Sequence, residues 1–398
     1  MSKTSTPKIL FQHLINSKSL RKGSYIDDLE QVLAKYFETP VFPVNSGRSA
    51  IYLALKVLGI GQGDEVLLQA YTCNAVPNPI LWNGATPVYV DIEEETLNMD
   101  PKDLVKKISP KSKAIIVQHT FGNPAKIREI LKIADQHKLK VIEDCAHALG
   151  AKIDSKLLGT FGDLAILSFG REKVISSLTG GALIVNDKSL LEKVETELKT
   201  LEPMPVSKIL QEIANYLSWR LIFRKIYSKE WGNSFIRHLY QYDFINVVTS
   251  QKELVGLNPG WYPRSLPNVF AHIAAGELEN VETYNKKRFE TAQIYFKKLN
   301  NTKIKVLKQE NGIYLRLVAL HPKAHLILEK AKQQKLSFGN WYNSVIYPES
   351  VHLAKLGYTS GSCPVAESIA HQTINLPNYI GISESEVERS IEFLKGFS

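Results

Sequence analysis

Along the first half of the chain, short apolar runs rich in β-branched residues alternate with amphipathic stretches. The runs Glu65–Leu68, Pro87–Val90, Ala114–Gln118, Lys140–Glu143, Leu164–Phe169 and Ala182–Val185 predict strands. Apolar positions at helical spacing predict helices over Ser49–Leu58 and Ala125–His137. Apolar strands separated by helices predict βαβ units, hence an α/β fold whose mostly parallel sheet is covered on both faces. This layered domain is expected over residues 25–200, behind an N-terminal arm or helix at 1–24.

Beyond residue 200 the pattern changes. Residues 201–250 are rich in Trp, Tyr, Phe, Arg and Lys and predict a helical, basic-aromatic insertion. Its apolar face is expected to run from Ile209 through Leu210, Ile213, Leu217 and Leu221. Pro and Gly cluster at 258–267, which reads as a linker or an active-site loop. A smaller C-terminal α/β domain is expected over 251–398. It would hold helical sequence at 268–300, a strand at Ile313–Leu320, a helix at Lys323–Gln334 and a last helix from Ser383. No internal repeat is visible.

Composition narrows the class. Of the 398 residues, 44% are hydrophobic, enough to bury the cores of two domains. The three cysteines, Cys73, Cys145 and Cys363, are too few and too scattered for a disulfide scaffold or a CxxC metal site, and no metal is expected. They suit a reducing, cytoplasmic compartment. The opening MSKTSTPKILFQHL has neither the apolar core nor the cleavage site of a secretory signal. No apolar run approaches the ~18 residues of a membrane span. The net charge, 49 − 40 = +9, admits an anionic partner without choosing among nucleic acid, acidic membrane and phosphorylated small molecule.

Three short motifs carry candidate chemistry. Asn45-Ser46-Gly47-Arg48-Ser49-Ala50 joins an apolar run to a helix, and its small residues suit either an anion at the helix N-terminus or a plain capping turn. It matches neither a P-loop nor a dinucleotide fingerprint. Asp144 ends an apolar strand, where ligands gather in parallel sheets; a carboxylate there can hold a protonated ring nitrogen, bind a metal or cap a helix. Lys173 follows the strand ending Ser168-Phe169-Gly170, with Gly180 and Gly181 nearby. Such a lysine is either solvated or a Schiff-base former. Phosphate turn, carboxylate and lysine, in that order, are the groups that pyridoxal 5′-phosphate requires.

With these motifs in place, nearly the whole chain resembles the DegT/DnrJ/EryC1/StrS family of sugar aminotransferases, of the pyridoxal-phosphate fold type I. The resemblance also rests on Gly61–Val66, Asn83–Ile92, Phe121–Pro124, Gly159–Asp163, Cys363–Glu367 and Asn375–Pro377. It implies that Lys173 forms the internal aldimine and shuttles the proton, and that Asp144 keeps the pyridine nitrogen protonated. Gly47, the backbone at Arg48, Ser49 and Ser168 would cradle the phosphate. His147 stands where many members have Gln, and would touch the cofactor ring or pack behind it.

This sequence departs from the family pattern in three places. Arg48 replaces a Thr, trading a hydroxyl for a cation beside the phosphate. Cys73 replaces an aromatic that stacks on the ring, with Tyr71 as a possible substitute. The segment that reaches the neighbouring subunit's site is poorly matched, and Arg264 or Asn268 is the candidate there. Trp341 and Tyr342 are candidates to cover the sugar or nucleotide, or else pack in the small domain. His119 reads as a core histidine, and Glu172 either tunes Lys173 or faces solvent.

The resemblance implies a homodimer that transaminates a nucleotide-linked keto sugar with glutamate or glutamine as donor, in polysaccharide biosynthesis. A dehydratase of the same fold would carry His at the lysine position, which Lys173 opposes. A regulatory or binding role remains a rival. Arg220, Arg224, Lys225, Lys229 and Arg237 interleave with Trp219, Phe223, Tyr227 and Trp231 against one acid, Glu230, as in a surface that binds nucleic acid or lies on an anionic membrane. Nucleic acid is not the expected partner; a flap over the dimer or the sugar site is the plainer reading.

Overall fold

A computed structural model of the chain describes residues 5–226, 232, 234–235, 238 and 249–397. Seven strands form the main sheet: β1 (Val41–Val44), β2 (Glu65–Gln69), β3 (Thr86–Val90), β4 (Ser112–Gln118), β5 (Lys140–Asp144), β6 (Leu164–Ser168) and β7 (Gly181–Val185). Their spatial order is β1-β7-β6-β5-β4-β2-β3. The five strands from β6 to β3 run parallel, while β7 is antiparallel to both β6 and β1.

Alternation along each strand serves two cores. Val66 and Leu68, Ala114 and Ile116, Ile142, and Leu164 and Ile166 face one core with the helix Gly47–Val57. Leu67, Ile115, Val117 and Val141 face the opposite side with the helix Ile127–His137. Further along that side, Ala165 and Leu167 meet the helices Tyr25–Phe37 and Asn268–Leu278. A strand that is buried on both faces must be apolar at every position, so these runs are legible without an alternating pattern.

The C-terminal part has its own core and a three-stranded antiparallel sheet of Lys305–Val306, Leu317–Leu320 and Thr373–Leu376. Two expectations shift here. The helix Asn268–Leu278 packs in the large-domain core, because its apolar residues wrap most of its circumference and it meets Tyr25–Phe37. The strand begins at Leu317 rather than Ile313. The intervening segment instead lies along the site, with the Ile313 and Arg316 amides donating to the carbonyls of Gly122 and Phe121 at 3.0 and 3.4 Å.

In the insertion, the helix Val206–Ser218 buries Ile209 and Ile213, while Leu210 and Leu221 are exposed. The expected face therefore turns by about one position. Most of the basic-aromatic stretch after Ile226 lies outside the described residues. Among those described, no helix is long and apolar enough to cross a membrane.

Glu143 ties the sheet to the loop that follows β5. Its fully buried carboxylate accepts the amides of Gly159, Phe161 and Gly162 at 2.9, 2.6 and 2.8 Å, and meets His119 Nε2 at 3.2 Å. Removing an acceptor that satisfies several buried donors costs the desolvation of each donor it abandons. The Glu143→Ala variant should therefore lose about 3–5 kcal/mol in urea unfolding. A loss below about 1 kcal/mol would show that the loop finds other acceptors.

Candidate active site

The carboxyl ends of β5 and β6 converge on one cleft, with the start of helix Gly47–Val57 beside them. Asp144 is the last residue of β5 and is buried. One of its oxygens accepts the Ala146 amide at 2.9 Å. Burial raises its pKa, and the Ala146 amide and the charges of Lys173 and His119 oppose that rise. Lys173 lies in the turn after β6, with its amine 2.9 Å from His147 Nε2. Withdrawal from water lowers the pKa of that amine. Cys73 and Asp144 counter the effect, while the cations Arg48 and Arg316 add to it.

His147 biases the protonation of the pair. Burial, then Lys173 and Arg316, hold its pKa well below 6.5, so the ring is neutral. Its Nδ1 accepts the Phe121 amide at 3.3 Å. In a neutral imidazole the other nitrogen must then carry the proton. Nε2–H then points at Lys173 Nζ, an arrangement that favours the uncharged form of the amine, in the same direction as its burial. In its uncharged form a lysine amine is a nucleophile, and this one is held in place by its contact with His147.

Aromatic rings wall the cleft. His147 stacks on Phe121 with centroids 5.6 Å apart, and Tyr342 tilts over Phe121 at 5.1 Å. Tyr71 does not serve as an open stacking surface, contrary to expectation. It is fully buried between Phe121 and Tyr342, with its hydroxyl bonded to Thr373 at 2.7 Å and accepting the Tyr342 amide at 3.2 Å. Cys73 is half-buried, and its thiol donates to Asn74 at 3.5 Å.

Small residues bring the helix start against the strand ends. Ser46 caps the helix by accepting the Ser49 amide at 3.1 Å. A Cβ on Gly47 would sit 3.2 Å from the Ser168 Cβ, and one on Gly181 only 2.5 Å from the Ser46 carbonyl carbon. Glycine at both positions permits this approach. The Ser49 hydroxyl donates to Asn45 at 2.6 Å.

Arg48 is not a spare cation beside that helix start. Its Nε lies 2.8 Å from a Glu253 carboxylate oxygen, and both side chains are buried. Burial works against its charge, but Glu253 and Tyr262 outweigh burial and hold the guanidinium protonated. Asn74 and Asn78 anchor the same segment by donating to the Glu253 carbonyl at 3.2 and 3.0 Å. Glu253 carries no sequence signal of this role, being distant in the chain and outside any motif.

The remaining candidates separate. Trp341 and Tyr342 line the cleft, and Asn375 holds the Trp341 backbone by bonds of 2.7 and 2.8 Å. The Asn268 side chain is buried and structural: it accepts the Tyr25 amide at 3.0 Å and donates to the Ser19 carbonyl at 2.8 Å, tying down the N-terminal arm. Both bonds are made within this chain, where the expectation had a reach to the neighbouring subunit's site. Arg264 pairs with Glu202 and donates to the Gly260 carbonyl at 3.1 Å, on an outer surface cleft rather than in this chain's own site.

A lysine amine, a strand-end carboxylate and a helix start gathered in a parallel α/β sheet fit a pyridoxal-phosphate enzyme. A sequence profile of the DegT/DnrJ/EryC1/StrS aminotransferase family matches residues 4–206 and 239–395, and the chain belongs to this family of PLP-dependent sugar aminotransferases. The unmatched stretch, 207–238, covers much of the insertion. One relative is the GDP-perosamine synthase of Escherichia coli O157:H7, 29% identical over 386 residues, spanning 94% of this chain and 91% of that protein. Another is the UDP-N-acetyl-3-dehydro-alpha-D-glucosamine 3-aminotransferase of Acidithiobacillus ferrooxidans, 28% identical over 346 residues, or 86% and 80% of the two chains. The crystal structure of DesV from S. venezuelae, in complex with a ketimine intermediate, shares the fold with a TM-score of 0.76 at 23% identity, over 99% of this chain and 94% of that one.

The residues present fit the cofactor. The Lys173 amine suits its aldehyde, and Asp144 its ring nitrogen. The helix start, which a Cβ at Gly47 would crowd, suits its phosphate.

Neutral His147 has a measurable consequence. Its folded pKa lies below the unfolded value of 6.5, so below that pH the unfolded chain binds a proton that the folded chain refuses. Its contribution to stability is complete above 6.5 and falls as the pH drops, by at most about 1.4 kcal/mol per unit. The cofactor-free protein should lose more stability between pH 8 and 5.5 than the His147→Gln variant does. Equal slopes would mean that the histidine accepts a proton in the folded state.

Proposed function

We propose that this protein transfers an amino group from glutamate or glutamine to a nucleotide-linked keto sugar, acting as a cytoplasmic homodimer. The observation that carries the reading is the Lys173 amine set 2.9 Å from His147 Nε2 beside the buried Asp144. The family and its nucleotide-sugar relatives support the substrate class.

Pyridoxal phosphate, when bound, supplies an electron sink. The protein supplies the rest. Lys173 Nζ would first be the nucleophile that anchors the cofactor, then the base that takes the donor's α-proton and gives it up again as an acid within the same half reaction; the second half runs the two transfers in reverse on the keto sugar. Asp144 would hold the ring nitrogen and keep a proton on it; near a cationic ring its carboxylate would regain the charge that burial disfavours. His147 orients the amine and presents no competing charge. The Gly47 and Arg48 amides and Ser168 would hold the phosphate, while the Arg48–Glu253 pair fixes the segment beside the helix start. Phe121 and Tyr342 keep water from the amine. A base at position 173 that returns to its anchor favours transamination over dehydration.

Absorption spectra test this. Pyridoxal phosphate should give the wild-type protein a visible band that glutamate bleaches. Lys173→Ala should lose the covalent band and slow the half reaction by at least about 10³-fold. Asp144→Asn should bind the cofactor and react about 10²–10⁴-fold more slowly. A bound cofactor that neither donor converts would overturn the proposed reaction, and absence of any band would overturn the site.

A further inference from the structure

An amino donor must bring its nitrogen to Lys173, and its α-carboxylate sits one carbon away. A cation for that carboxylate has to lie close to the lysine amine. Among the described residues two arginines are near enough to lower the pKa of that amine, Arg48 and Arg316. Arg48 is committed to Glu253, whose side chain is almost wholly buried. Arg316 is differently placed. It opens onto the cleft lined by Glu172, Trp341, Asn375 and Asn378. One of its terminal nitrogens meets the Glu172 carboxylate at 2.9 Å, and Glu172 is more than half exposed.

From this geometry we infer that Arg316 anchors the α-carboxylate of the amino donor, with Glu172 as the built-in carboxylate that the donor displaces. The inference rests on the transaminase reading and deepens it. Guanidinium groups take carboxylates through two parallel hydrogen bonds, a geometry that an ammonium lacks. This one is aimed from both sides. Its backbone is bonded to Phe121, and its guanidinium lies over the Trp341 ring at 4.8 Å, while Asn375 holds that ring's backbone. Glu172 is a neighbour of Lys173 in sequence and partly in water, so its ion pair is weak and readily exchanged. A donor carboxylate substitutes for it at Arg316, and the displaced Glu172 carboxylate, more than half exposed, is left to water.

Two measurements on the full-length protein test the inference. Calorimetry with glutarate, the donor skeleton without its amine, reads binding on the cofactor-free protein. Single-turnover spectra of the cofactor-loaded protein read the half-saturating glutamate concentration. Arg316→Gln should weaken both roughly 10–100-fold with a smaller change in the maximal rate. Arg316→Lys should rescue only part of the loss. Glu172→Gln should tighten both several-fold, an effect that a merely structural pair would not give. In every variant the cofactor band should form as in the wild type. Unchanged glutarate and glutamate dependence in Arg316→Gln, with weakened competition by GDP or UDP, would overturn the inference and give Arg316 to the nucleotide diphosphate. A looser response in Glu172→Gln would overturn the displacement. Failure of the wild-type band or its bleaching sinks the transaminase reading instead.

Discussion

Desolvation at the carboxyl ends of β5 and β6 sets the conditions for the rest of the molecule. An amine, a carboxylate and an imidazole share a cleft in which each charged form is disfavoured by loss of water. The groups answer with one hydrogen-bond chain. The Phe121 amide selects the His147 tautomer, and His147 in turn favours the uncharged form of Lys173. Reactivity follows from that ordering of protons, and the ordering follows from a backbone amide in a turn whose residue Phe121 holds a left-handed conformation at φ 55°.

The surrounding structure keeps this chain of donors in register. Glu143 points away from the cleft and collects the loop amides beyond β5, so Asp144 on the next residue faces the cleft with a fixed backbone. Glycines at 47 and 181 let the helix start press against the strand ends, where any side chain at position 181 would meet backbone. The Arg48–Glu253 pair closes the other wall. A buried pair of this kind contributes little net stability, since desolvation offsets attraction, but breaking it strands a charge. Its effect is to specify where the 249–257 segment sits.

The contrast between the two arginines shows how burial divides roles. Both lie near Lys173, and both have a carboxylate partner. One pair is shut in the interior and acts as structure. The other is half in water at the mouth of the cleft, where its partner exchanges readily. The same chemical groups thus serve positioning or exchange according to how much solvent reaches them.

Alternating strands and helices, the strand-end Asp144 and the lysine after β6 were legible in sequence because they depend on local pattern: apolar runs mark strands that are buried on both faces, and strand ends in parallel sheets are where polar residues gather. The helix start at Gly47 was legible for the same reason. Roles that join distant segments were not. Asn268 carries the same polar amide whether it reaches a substrate or ties down the arm at Ser19 and Tyr25. In sequence Arg48 is a cation beside a phosphate turn; in the fold Glu253, 205 residues away, pairs with it. Tyr71 was read as a stacking surface until Phe121 and Tyr342 enclosed it. Sequence by itself determined which residues could titrate, stack or turn. Tertiary structure alone decided which of them meet and how much water they keep, because charge state and exposure are properties of an environment assembled from segments hundreds of residues apart.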